Sequence, residues 1–350
     1  MKHFIIFPYK PLLLVCLFAS ILFACKTKEK PSQITNAIYV WNERSGYNYF
    51  SDEELNFIKV NNIQQVYCKL ADVSWDETDH AYPHDINQLP GDRVLQTFIN
   101  IVPCIFMENS VMLKSTKPEL EYMAQKIAAR IKNFDKHTKI CQVDCDWSAA
   151  SKDNYFFFLE KMKQHLDSTK LSVTLRLYQY KYPEKTGVPP ADRVTLMLYN
   201  FNSPTVYRQE NSIFDKAEAS KYITGKKYAL PMDFALPAFS WNVVYDHEDK
   251  FAGFLKLSGD FDKIEYLKLV KDHVYEVTAD TVIDAYYLRK GYKLKFEEVN
   301  HKKLKEAYSL IDKFKNTDTF SVALFDLNYE TLKKITEEDH APLYNSILVK

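Results

Sequence analysis

The sequence predicts an α/β fold, a (β/α)8 TIM barrel with a small α+β insertion after strand 7. Three observations predict it. Short apolar runs alternate with amphipathic helical patterns along most of the chain, eight runs can be counted, and the alternation breaks once, between Trp241 and about Asn300, where the sequence turns β-rich and charged.

The elements follow in order. Ala37 to Trp41 reads as the first strand, and Ser51-Asp52-Glu53-Glu54 as a capping box that opens a helix running to an Asn61-Asn62 stop. Gln65 to Val73 is the second strand, followed by the loop "DETDHAYPHD", Asp76 to Asp85. Val94 to Met107 supplies the third, and Thr116 to Glu119 opens a helix whose apolar residues Leu120, Met123, Ala124, Ile127, Ala128 and Ile131 recur at three and four. The fourth strand is Lys139 to Asp146, with a helix behind it carrying Phe158, Leu159, Met162 and Leu166 on one side. Leu171 to Tyr178, Val194 to Asn200 and Lys227 to Phe234 are the fifth to seventh strands. After the insertion, the rhythm resumes with a helix from His301 to Phe314, an eighth strand from Phe320 to Asp326, and a helix from Tyr329 to Ile335. No internal repeat or low-complexity tract interrupts it.

The first residues read as an address. Lys2, His3 and Lys10 form a basic start, Leu12 to Leu22 is an apolar stretch too short to span a bilayer comfortably, and Leu22-Phe23-Ala24-Cys25 follows. That ending resembles the lipobox of bacterial lipoproteins, in which the cysteine becomes the lipidated first residue; the alternative is an uncleaved N-terminal anchor. The expected organisation is a signal peptide over 1–25 with lipidation at Cys25, a flexible polar tether over 26–36, and the barrel over 37–350 with 241–300 inserted. The expected location is the bacterial cell envelope, lipid-anchored to a membrane and facing the periplasm or the cell exterior.

Composition narrows the function. The 46 basic and 46 acidic residues balance, which argues against nucleic-acid binding, since phosphate recognition needs a basic excess. The 24 Tyr and 23 Phe suit a sugar-binding surface and equally a heavily packed core. Cys16 lies in the signal; Cys68, Cys104, Cys141 and Cys145 sit in strand-like runs, and no bridge is expected. With seven glycines in the chain there is no phosphate cradle, and neither a Gly-x-Ser-x-Gly elbow nor a Cys-x-x-Cys pair is present. His80 and His84 are spaced for a metal, but Pro83 breaks any helix that would align them, so the loop reads as solvated. Neither metal nor cofactor is expected.

The stretch "CQVDCDWSAA" carries the site. On a strand, Gln142, Asp144 and Asp146 share one face, while Cys141, Val143 and Cys145 share the other. In a barrel the polar set looks inward, at the strand's C-terminal end where barrel active sites are built. Two inward carboxylates roughly 7 Å apart repel, so one has a raised pKa unless a cation intervenes. Arg176, expected on the inward face of the neighbouring strand with Thr174 and Tyr178, is that cation; the pair is then either a structural knot or a ligand contact. Trp147 and Tyr199 read as sugar-stacking platforms or as packing at the mouth, and Trp241 as a cleft aromatic or core residue. Glu108 and Asp233 are spare carboxylates near expected strand ends.

Asp144-Cys145-Asp146-Trp147 resembles the fourth-strand signature Asp-x-x-Asp-x-Asp-x-Glu of chitinase-like family 18 glycoside hydrolases. Met197-Leu198-Tyr199-Asn200 resembles that family's sixth-strand Met-x-Tyr-Asp, and Tyr228-Ala229-Leu230-Pro231 sits where its seventh strand ends in a similar proline-containing turn. The insertion falls where many chitinases carry one. The resemblance implies that Asp146 orients a substrate acetamido group and that Tyr199 holds it. Three positions depart from the pattern: Cys141 replaces its first acid, Asn200 its sixth-strand acid, and Ser148 the glutamate that protonates the glycosidic oxygen. A serine hydroxyl is far too weak an acid for that task. The reading is therefore a barrel closest to bacterial lipoprotein relatives lacking the catalytic glutamate, binding a carbohydrate such as an N-acetylglucosamine-containing glycan. Asp144, Asp146 and Tyr199 stand in the catalytic positions, and Trp147, Asn200, Arg176, Asp233 and Trp241 are substrate contacts. The alternatives are an active glycoside hydrolase using Asp146 with a carboxylate from another strand, and a scaffold lipoprotein that binds no sugar.

Overall fold

The computed structural model describes residues 1, 32–42, 49–78, 80–84, 86–87, 99–134, 138–208, 211–255, 261–283, 286–337 and 341–348. The segment expected to be a signal peptide, from Lys2 through Cys25, most of the expected tether, Asp79 and Asp85 of the acidic stretch, and residues 94–98 of the expected third strand lie outside them.

Eight parallel strands close into a cylinder: β1 (Gln33–Val40), β2 (Gln65–Asp76), β4 (Asn100–Met107), β5 (Ile140–Asp144), β6 (Lys170–Leu175), β7 (Arg193–Met197), β8 (Met232–Pro237) and β16 (Thr319–Phe325). Closure is explicit, because β1 pairs in parallel with both β16 and β2. Each strand turns one apolar face to the surrounding helices; Val143 and Val173, for example, are fully buried beside Phe158, Leu159 and Met162 of the helix Lys152–Leu166. The capping box forms as expected, with Ser51 Oγ accepting from Glu54 N and the Glu54 carboxylate from Ser51 N.

Several boundaries differ from expectation. β1 begins at Gln33, inside the segment read as tether, where its edge pairs with β16. The acidic loop is instead a β-hairpin: β3 (His80–His84) pairs antiparallel with the end of β2, and as an edge strand it tolerates Pro83. The fifth strand stops at Leu175, so Tyr178 lies on the short helix Leu177–Lys181, exposed rather than facing inward. The seventh starts at Met232, just past Pro231, five residues later than expected. That shift moves Asp233 from the top of its strand to the bottom.

The barrel interior is polar at its centre. Gln142, fully buried, accepts from Tyr39 Oη at 2.8 Å and donates to Thr195 Oγ1 at 3.0 Å and Ser172 Oγ at 3.2 Å. Tyr39 stacks on Tyr67 at 4.5 Å between ring centroids. Below this layer, Arg193 clamps Asp233 with Nε to Oδ2 at 2.5 Å and Nη2 to Oδ1 at 2.6 Å, and Ser321 N donates to Oδ1 at 2.6 Å. Burial pushes the Asp233 carboxyl above the ordinary carboxylate range, with Arg193 opposing it. Asp233 thus closes the bottom rim, at the opposite end of the barrel from the strand end where it was expected. Cys68, Cys104, Cys141 and Cys145 are buried and not joined in disulfides.

The insertion is a five-stranded antiparallel sheet in the order β10 (Phe251–Leu255), β9 (Ser240–Tyr245), β15 (Lys293–Glu298), β12 (Val274–Val277), β11 (Leu267–Lys271), with a separate hairpin of β13 (Thr281–Ile283) and β14 (Tyr286–Leu288). Among its described residues the expected helical part reduces to one 3₁₀ turn, Phe261–Lys263. Val244, Leu255, Phe261, Val277 and Leu294 belong to a small core of its own. It is fastened to the barrel through buried Glu297, which pairs with Lys295 at 2.8 Å and accepts from Ser212 N and Trp241 Nε1, each at 2.9 Å. Burial raises the Glu297 carboxyl, but the hydrogen bonds from Lys295, Ser212 and Trp241 outweigh it and leave it lowered.

Asp233→Asn orphans Arg193 at the bottom rim. We predict a loss of about 2 kcal/mol by urea unfolding, below the full cost of stranding a buried charge because Arg193 keeps some access to water.

Candidate functional site

The C-terminal ends of β5, β6 and β7 bring the predicted acids together. Asp146, two residues past Asp144 at the end of β5, receives Arg176 Nε on Oδ1 at 2.6 Å and Nη2 on Oδ2 at 2.5 Å. The third arm of the fork, Arg176 Nη1, donates to the carbonyl of Asn200 at 3.1 Å. Arg176 sits immediately after β6, with its own N–H donating to Gln179 Oε1 at 2.8 Å, so its backbone is fixed as well as its side chain. Bidentate guanidinium–carboxylate geometry of this kind is among the strongest of charged hydrogen bonds.

Asp144 lies deeper. Its Oδ1 accepts from Thr174 Oγ1 at 2.6 Å. Burial first, then the charge of Asp146, push its carboxyl up to about 6, while Thr174 and Arg176 act in the other direction and Asp72 adds to the rise. Asp72, across the barrel top on β2, is itself held by Lys69 at 2.9 Å, over a bulge between Lys69 and Ala71. Tyr199 closes the group. Its phenol is raised by burial and then by Asp144, and its ring stacks on Phe325 at 5.3 Å and meets Phe239 edge-on at 5.8 Å.

Phe325 and Phe239 lead outward to an open cleft of about 720 Å³ between the barrel mouth and the inserted sheet. Trp41, Phe239, Trp241 and Phe254 wall it, and Asp326, Glu330 and Lys334 supply charge. Trp241 is oriented by its hydrogen bond to Glu297 and packs on Phe254 at 4.8 Å and Phe239 at 5.5 Å. Flat aromatic faces with polar groups beside them make a concave, largely apolar binding surface.

The expected residues therefore separate into two groups. Asp144, Asp146, Arg176, Tyr199 and the Asn200 backbone converge at the mouth, and Trp241 lines the adjoining cleft. Trp147 does not: it is buried in the helix layer, stacks on Tyr155 at 5.1 Å and donates Nε1–H to the carbonyl of Thr186 at 2.9 Å. Asp233 is at the opposite rim. Glu108 accepts from Ser110 Oγ at 2.9 Å at the head of the helix Asn109–Lys114. Ser148 serves the turn into the helix Lys152–Leu166, its N–H donating to Ser151 Oγ at 2.9 Å, and Ser151 Oγ in turn to Asn109 Oδ1 at 2.5 Å. His80 pairs with Glu119 and His84 with Ser74, and no group of metal-ligating side chains occurs among the described residues.

Trp41, Phe239, Phe254, Phe325 and the Lys69–Asp72 pair were not read as site residues. Strand parity carried a signal for two of them. Trp41 continues the inward series of Tyr39, and Phe325 continues that of Ser321 and Ala323.

No protein-family model matches the chain, and no curated protein matches it. Among solved structures it is distantly similar to the Bacillus cereus spore cortex-lytic enzyme SleL, at 10% identity over 87% of this chain and 75% of that one, with a TM-score of 0.46. It is also similar to a fungal endo-β-N-acetylglucosaminidase of glycosyl hydrolase family 18, at 9% identity over 90% and 98% with a TM-score of 0.48. A third is active domain 2 of a Pyrococcus furiosus chitinase, at 12% identity over 85% of each chain with a TM-score of 0.40.

Asp144 yields a pH prediction with a definite sign. Its folded pKa of about 6 lies above the unfolded carboxylate value of about 3.9, so between these the folded state holds more protons and stability falls as pH rises. The loss is on the order of 2 kcal/mol from pH 4 to 7. Asp144→Asn should flatten this slope and match or exceed wild-type stability at pH 7 in denaturant titrations; an unchanged slope contradicts the assignment.

Proposed function

We propose that the chain is a glycoside-hydrolase-like barrel that binds a carbohydrate at the strand C-terminal mouth with little or no hydrolysis, held at a bacterial membrane by lipid on Cys25. The observation that carries the reading is the Arg176 fork. Both oxygens of Asp146 are occupied by a fixed cation, and Ser148, two residues on, is turned into a helix-start network instead of toward the mouth. Hydrolysis of the substrate-assisted kind that the motifs imply needs a proton donor at the glycosidic oxygen, and the position of that donor holds Ser148. Binding needs only an aromatic wall and oriented polar groups, which the cleft supplies. The strand-four and strand-six motifs make N-acetylglucosamine oligomers the first ligands to try.

A second reading rests on Asp144. A carboxyl raised to about 6 is in the range of a general acid at neutral pH, and Asp326 lines the adjoining cleft. The two readings diverge on product.

Calorimetric titration against a glycan panel, paired with an assay for released reducing sugar, tests both. Binding should weaken about tenfold on Trp241→Ala, with no sugar released. Affinity untouched by both Trp241→Ala and Asp146→Ala removes the proposed site. Release that disappears in Asp144→Asn, with the fold intact, makes the protein a hydrolase.

A further inference from the structure

On the barrel flank, away from the mouth, lies a second groove of about 900 Å³, bounded by Ser32 and Ile34 at the entry to β1, Phe320 at the start of β16, and the helices His301–Ser309 and Ile311–Phe314. Its lining holds four lysines, Lys216, Lys302, Lys305 and Lys315, against two carboxylates, Glu306 and Asp312. Asp312 is spent on Lys315 at 3.0 Å, and Lys315 Nζ also donates to Ser32 Oγ at 3.2 Å. Lys216, Lys302 and Lys305 are exposed. In a chain whose 46 positive and 46 negative charges cancel, this is a local positive excess.

Its position gives the excess a meaning. The strands run parallel, so the N-terminal ends of β1 and β16 share the rim opposite the sugar cleft. The chain joins the barrel there, at Ser32, seven residues after Cys25. Seven residues reach at most about 25 Å even when fully extended. A lipid on Cys25 thus holds the Ser32 end of the groove within one short span of the headgroups. The joining sequence carries Lys26, Lys28 and Lys30 against Glu29, which is charge of the same sign. A single lipid attachment is commonly reinforced by a basic surface, each lysine near an anionic leaflet adding to the attraction.

We infer that the groove lined by Lys216, Lys302, Lys305 and Lys315 is a docking surface for anionic lipid headgroups, and that it seats the barrel on this flank. The inference rests on the lipidation reading above.

The test is lysine acetylation footprinting of the full chain, read by mass spectrometry, on vesicles of phosphatidylcholine alone and of phosphatidylcholine with 30 mol% phosphatidylglycerol (roughly the content at which polybasic segments respond). Lys302 and Lys305 should label several-fold more slowly on the anionic vesicles, Lys334 at the mouth should label equally on both, and 0.5 M salt should abolish the difference (roughly, as a Debye length of a few Å requires). Lys302→Gln with Lys305→Gln should lower partition onto the anionic vesicles about tenfold at low salt. Equal labelling on both vesicles overturns the inference. Protection already present without vesicles overturns it too, since the chain's own N-terminal segment then covers the groove. The mass of the N-terminal peptide reads lipidation separately: if no lipid is found, the anchor reading fails alone, and salt-sensitive protection on anionic vesicles still decides the docking surface.

Discussion

The clamp of Arg176 on Asp146 is the interaction on which the mouth of this barrel depends. Two carboxylates placed two residues apart on one strand, both turned into a partly buried space, repel each other and lose hydration together. The guanidinium resolves the conflict for one of them and, through the carbonyl of Asn200, ties the loops after β5, β6 and β7 into one unit. Asp144 is left with Thr174 and with a proton affinity high enough to keep it neutral in mild acid. The same clamp limits what Asp146 can do, because a carboxylate engaged on both oxygens receives a ligand's donor only if the ligand displaces the cation.

The interior repeats this arrangement at three heights. Arg193 and Asp233 close the bottom, the Gln142 amide joins Tyr39, Ser172 and Thr195 at the centre, and Arg176 with Asp146 closes the top. A barrel core of this polarity is viable where its donors and acceptors find partners within the cylinder, as those of Gln142 and Asp233 do, since an unpaired group costs more than the pair contributes. The inserted sheet then builds outward from this fixed rim. Glu297 aims Trp241 across the opening, and Tyr199, touching Phe325 and Phe239, connects the charged mouth to the aromatic wall.

Much of this was legible in the sequence because barrel strands obey simple parity. Gln142, Asp144 and Asp146 fell on the inward face as alternation requires, and the broken rhythm after Trp241 marked the insertion. Parity also held the answer for Trp147, which shares its face with Cys145 and so belongs to the helix layer. The error at Asp233 was one of boundary: Pro231 cannot donate to a central ladder, and the strand that begins after it puts the aspartate at the bottom beside Arg193, a partner 40 residues away that no local pattern reveals. The cleft wall was hidden for the same reason. Trp41, Phe254 and Phe325 come from distant segments that meet only when the cylinder closes and the sheet folds over it.

Under the proposed function the barrel binds carbohydrate with its acid machinery locked or replaced. The most direct measurement is a crystal structure with an N-acetylglucosamine oligomer soaked into the mouth at neutral pH. The account predicts an uncleaved sugar stacked on Trp241, with Arg176 still clamped on Asp146. A cleaved sugar, with Arg176 swung away and Asp144 within hydrogen-bond reach of the departing oxygen, would contradict it.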